Sequence, residues 1–102
     1  MDFQNLMQQA QRMQSQLGKV EEELKNTKYT GTSGGGSVEI EMTGDNEVVS
    51  VKIDEELLEK DNKEILEDLL QVAFNDASKK AKEDRESKLQ GLAGGMGLPG
   101  MF

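Results

Sequence analysis

The sequence predicts an α+β fold ordered α-β-β-β-α, in which a three-stranded antiparallel sheet lies between two long helices along the chain. Three observations predict it: apolar residues at helical spacing over the first 26 positions, strict alternation in two runs between residues 37 and 53, and a second helical pattern from about residue 63. A chain of 102 residues suffices for one domain. That domain is expected over residues 1–90, with a flexible Gly- and Met-rich tail over residues 91–102. Only 34% of the residues are apolar and 31% are charged, so a lone copy has little core with which to offset chain entropy, and a homodimer is expected.

The first element is a helix over residues 2–26. Phe3, Leu6, Ala10, Met13, Leu17, Val20 and Leu24 recur at alternating steps of three and four, the spacing of a coiled-coil seam. Gln, Glu, Lys and Arg fill the outer face, and Gly18 is the weak point, costing up to about 1 kcal/mol relative to Ala.

At Thr27 the composition changes to strand formers. The Tyr29 segment is expected to form a strand, followed by Gly34-Gly35-Gly36 as a loop or bulge. In residues 37–43 Val38, Ile40 and Met42 alternate with Glu39 and Glu41; in residues 47–53 Val49, Val51 and Ile53 alternate with Ser50 and Lys52. Period two means one buried face, and Gly44-Asp45-Asn46 provides a tight connection, so the two runs should pair as a hairpin. The sheet is expected to be covered by helices on one face, with an edge left for a second copy.

A short helical turn is expected over residues 55–59, then a long helix from about Lys63, capped by Asp61 or Asn62. Its seam is Leu66, Leu69, Leu70, Ala73, Phe74, Ala77 and Ala81. The small Ala73, Ala77 and Ala81 on one face predict close approach of another helix. Past Ala81 the seam gives way to Asp84, Arg85 and Lys88, and this end is expected to project from the core.

Charge is unevenly distributed. The net charge is −8, but residues 1–36 sum to zero, residues 37–76 to −10 and residues 77–102 to +2. Since the first helix runs toward the sheet and the last runs away from it, the start of one and the end of the other can lie together. That would place cations on an arm apart from the acidic middle, with Gln8, Gln9, Gln11 and Gln14 as uncharged hydrogen-bonding groups. Arg12, Lys19, Lys79, Lys80, Lys82, Arg85 and Lys88 are the expected contacts to a polyanion. The same lysines also serve simply to complement the helix dipole and keep a helix soluble.

Several chemistries are excluded. Without cysteine there is no disulfide framework or thiolate metal site, and without histidine there is no neutral-pH general base or nucleophilic triad. Gly34-Gly35-Gly36 lacks the Lys-Ser/Thr and following helix of a phosphate loop. The carboxylates around Asp54 and Asp61 lack the ligand spacing and central Gly of a calcium loop. No enzymatic activity, cofactor, metal or small-molecule substrate is expected. Neither a signal peptide nor a membrane span is expected, and a cytoplasmic location fits.

The layout resembles the YbaB/EbfC nucleoid-associated proteins. The matching features are Met7–Gln14 in the first helix, Ser33-Gly34-Gly35-Gly36 leading into the Val38 strand, Val51-Lys52-Ile53-Asp54 before the last helix, Asn75-Asp76-Ala77 within it, and Gly95–Met101 in the tail. The resemblance implies a tweezer-like α/β homodimer with paired sheets at its base and helical arms. It also implies binding of double-stranded DNA in the bacterial nucleoid with little sequence discrimination. The contact residues named above come from the charge argument and not from the family pattern. A protein-interaction scaffold using the seam and tail is the alternative.

Overall fold

A computed structural model describes residues 2–95 of the chain, with side chains through Leu92. The elements are α1 (Phe3–Asn26), β1 (Lys28–Ser33), β2 (Val38–Thr43), β3 (Val48–Ile53) and α2 (Lys63–Gly95), in the expected α-β-β-β-α order. Three short 3-10 turns complete them: Gly34–Gly36 between β1 and β2, and Glu55–Leu58 with Lys60–Asn62 ahead of α2. The helical turn expected over residues 55–59 is thus two turns. The second helix continues through Gly91–Gly95, where sequence reasoning expected flexible chain; the rest of that tail lies outside the described residues.

Local chemistry explains the boundaries. The Asp2 carboxylate accepts from the Gln4 N–H at 3.1 Å, capping α1, and Thr27, in extended geometry, donates its N–H to the Leu24 carbonyl as the helix ends. Gly34, Gly35 and Gly36 have φ of 60°, 68° and 97°, a left-handed run that residues with a Cβ rarely adopt. They turn the chain so that β1 and β2 pair antiparallel, Gly31 facing Ile40 and Ser33 facing Val38.

The sheet order is β1-β2-β3. β2 and β3 pair from Val38↔Ile53 to Met42↔Val48, with a bulge that leaves Val49 unpaired. Alternation along β2 buries Val38, Ile40 and Met42. Val38 and Ile40 join Ala73 in the core, with Leu57, Leu66, Leu69 and Leu70 packed around them.

The alanine stripe of α2 packs on β1, not on another helix. Ala73, Ala77 and Ala81 are buried, and a Cβ built on Gly31 would lie 2.0 Å from the Ala73 carbonyl oxygen and 2.4 Å from the Ala77 nitrogen. The two backbones therefore touch, a fit that requires no side chain at residue 31 and small ones on the helix. Leu69 meets Ser33 and Asp84 meets Tyr29, so α2 runs antiparallel to β1. It then continues beside α1, where Arg85 and Lys88 reach Glu21 and Glu23.

The seam of α1 is less occupied than its spacing suggests. Leu24 is buried and Met13 and Val20 half-buried, whereas Phe3, Leu6, Ala10 and Leu17 are exposed. Phe74, expected in the α2 seam, is also exposed. The reason is geometric: α2 covers β1 and β2 but not β3, and it flanks only the part of α1 nearest the sheet. The chain measures 69 × 23 × 16 Å with a radius of gyration of 19.4 Å; a compact chain of this length has about 13 Å.

Candidate nucleic-acid interface

The seven cations expected from sequence fall into two groups. Arg12 and Lys19 are exposed on α1 and have no carboxylate within ion-pair distance among the described residues. They are two helical turns apart, about 10 Å along one side of the helix. Lys82, exposed on α2, is likewise unpaired among the described residues. It lines a cleft of about 230 Å³ with Ser78, Ala81, Arg85 and the β2–β3 connection at Gly44 and Asn46. That connection is tied to the end of α1 by the Gly44 N–H, which donates to the Leu24 carbonyl at 2.8 Å.

The other four are engaged within the chain. Lys79 stands 4.0 Å from Glu83, an exposed pair of little energetic weight. Lys80 donates to the Thr30 carbonyl at 2.8 Å and lies 3.4 Å from Asp76. Arg85 makes a two-pronged contact with Glu21 at 2.6 and 3.1 Å, which raises its pKa further. Lys88 sits 3.7 Å from both Glu23 and Asp84. The end of α2 is therefore not an isolated cationic tip, because its charges meet acidic groups of α1 and of α2 itself.

The expectation that the start of α1 meets the end of α2 is corrected in the same way. Arg85 and Lys88 meet Glu21 and Glu23 in the last turns of α1, and Phe3 to Ala10 lie beyond them.

Two residues that charge reasoning passed over have defined roles. Asp76 accepts the Thr32 N–H at 3.1 Å, and this bond, with the hydrogen bond and charge of Lys80, holds its carboxyl below the usual range. Asp76 and Lys80 together occupy two outward polar groups in the middle of β1, Thr32 N–H and Thr30 C=O, and so obstruct that edge of the sheet. Tyr29 donates its hydroxyl to Asp84 at the sheet end of the arm. Its pKa is pushed up to about 12, first by burial, then by the Asp84 carboxylate that accepts the proton and repels a phenolate. The Asn75-Asp76-Ala77 match was the one available signal for Asp76; nothing in the sequence pairs Tyr29 with Asp84.

β3 differs from β1. Among the described residues no side chain caps its outer edge, and Val48, Val49 and Val51 are 42%, 47% and 48% exposed. No group of carboxylates suited to a metal ion occurs among the described residues, and no helix there is long and apolar enough to cross a membrane.

Comparison with known proteins follows the same outline. Residues 1–96 match the model of the YbaB/EbfC DNA-binding family. A nucleoid-associated protein of Rickettsia akari is 48% identical over 101 residues, covering 99% of this chain and 94% of that protein. One of Rickettsia prowazekii matches with the same identity and coverage. Among solved structures, an uncharacterized protein of Helicobacter pylori superposes with a TM-score of 0.81 at 34% identity, over 90% of this chain and 97% of that one.

Proposed function

The chain belongs to the YbaB/EbfC DNA-binding family, and from that premise we propose that it is a non-catalytic, cytoplasmic protein of the bacterial nucleoid, a homodimer whose helical arms hold double-stranded DNA with little regard to sequence. The observation that carries the reading is the family match along the chain. The geometry supports it through Arg12, Lys19 and Lys82, cations held on the helices without carboxylate partners among the described residues.

These three make the first phosphate contacts. Lys79 contributes at small cost, its pair being exposed. Lys88 joins by exchanging a carboxylate for a phosphate, a near-neutral change where an exposed pair is worth about 0–1 kcal/mol, and Arg85 does so less readily because its contact with Glu21 is bidentate. Lys80 stays with β1. The second copy adds at β3, since the β1 edge is occupied by Asp76 and Lys80 while β3 leaves its edge and three valines uncovered.

The test is fluorescence anisotropy with unrelated duplexes over a salt series. Similar affinities are expected for all sequences, with log K falling linearly in log salt by about 0.9 per phosphate neutralised. Arg12→Glu, Lys19→Glu and Lys82→Glu together should weaken binding by roughly tenfold or more and flatten the slope. Absence of salt-sensitive binding would refute the function, and an unchanged slope in the triple variant would refute the site.

A further inference from the structure

We propose that the cleft between α2 and the β2–β3 connection is a phosphate-binding site, in which Ser78, Lys82 and Arg85 of the helix and Asn46 of the connection surround one phosphate group. Its volume of about 230 Å³ is below the roughly 300–1,000 Å³ of pockets that hold drug-sized ligands. It therefore suits a small group or a single unit of a polymer.

Spacing along α2 assembles one wall. Ser78, Ala81, Lys82 and Arg85 stand at i, i+3, i+4 and i+7, so they share one helix face. The stripe of Ala73, Ala77 and Ala81 that packs on β1 runs beside this face, while Asp76 and Lys80 lie on the stripe's other flank, engaged with β1. The opposite wall is the connection itself. It is fixed by the Gly44 N–H, which donates to the Leu24 carbonyl at 2.8 Å, and turned by Asn46 at a φ of 67°.

Charge and hydrogen-bonding capacity identify the ligand. Among the described residues two cations and no carboxylate line the cleft. Asp45, the acidic residue between Gly44 and Asn46, lines a separate cleft with Glu21, Glu22 and Lys25, so the connection divides negative groups on one side from positive ones on the other. Lys82 has no carboxylate within ion-pair distance among the described residues. Arg85 is gripped by Glu21 through its two terminal nitrogens and keeps its Nε–H. Among the described residues neither the Ser78 hydroxyl nor the Asn46 side-chain amide is engaged in a hydrogen bond within the chain. Spare donors around a cationic cleft match a phosphate, whose several oxygens accept charge-assisted bonds from different directions. Any phosphate satisfies this chemistry; only its assignment to a DNA backbone rests on the function proposed above.

Amide chemical shifts of the full chain, followed by NMR, test the site with inorganic phosphate and a short duplex as separate probes. Both are expected to move amides 44–47 and 78–85. Ser78→Ala and Asn46→Gly suit the helix and the left-handed backbone at those positions, and each is expected to weaken the response roughly tenfold. Since neither removes a charge, duplex affinity should fall at an unchanged salt slope, unlike the effect of Lys82→Glu. A response to inorganic phosphate without duplex binding would keep the site, assign it to a free phosphate and sink the DNA reading. Amides that neither probe moves, or variants that respond as the parent does, would overturn the site; duplex binding by anisotropy would then leave the proposed function standing.

Discussion

Tyr29 shows how one side chain joins the two halves of the molecule. It sits in β1, yet its hydroxyl donates to Asp84 on α2, beside the Lys88 that also reaches Glu23 of α1. Sheet and both helices therefore meet at one small polar cluster. Because the Tyr29 pKa is raised from 10.0 to about 12, the folded chain keeps this proton longer than the unfolded chain. Its contribution is full below pH 10 and disappears as pH rises toward 12. Tyr29→Phe should lower stability by about 1.5–3 kcal/mol at neutral pH, the range of a hydrogen bond to a charged acceptor. It should also remove part of the decline in Tm between pH 10 and 12. Thermal melts of both proteins across that window check it, and parallel declines would mean that Asp84 does not hold the phenol.

At the scale of elements, the contact of α2 with β1 governs the fold. Gly31 has no room for a Cβ, the nearest backbone atom lying 2.0 Å from where it would stand. Gly31→Ala must therefore push strand and helix apart and should cost about 3 kcal/mol, at the upper end of overpacking penalties. Urea titration would show it as a lowered midpoint at constant slope, and a cost below about 0.5 kcal/mol, the range of ordinary surface changes, would contradict the backbone contact. This contact also marks the limit of what could be read in advance. The periods of Val38 to Met42 and of Leu66 to Ala81 were enough for the order of elements, because alternation and helical spacing are local. Ala73, Ala77 and Ala81 announced close approach, but the partner expected, another helix, was the wrong one, since a glycine in a strand carries no sign of what packs on it. The same holds for the cations. Helical spacing sets Lys80 near the alanine stripe and Lys82 away from it, yet only the fold ties Lys80 to Thr30 and leaves Lys82 beside an open cleft. Charge counting weighs them equally because ion pairing across elements is a property of the folded chain.

For the whole molecule, the question is how a chain of net charge −8 holds a polyanion. Residues 37–76, which carry the −10, form β2, β3, the turns after them and the first half of α2. Arg12 and Lys19, without an ion-pair partner among the described residues, are on α1, a different element from those carboxylates. One arm offers few phosphate contacts, so the proposed grip needs two arms, and with them the proposed junction at the β3 edge. Val51→Lys separates these effects. Val51 is 48% exposed and the lysine stem can lie over the neighbouring Ile40, so folding should change by little more than about 0.5 kcal/mol. The added charge would, if anything, attract DNA, while two lysines facing each other across a β3–β3 junction oppose association. Sedimentation at micromolar concentration should therefore find a monomer, and DNA affinity should fall by roughly a hundredfold as the second arm's avidity is lost. A dimer that persists would place the partner elsewhere than β3; a monomer that binds as tightly as the parent would mean that a single arm suffices.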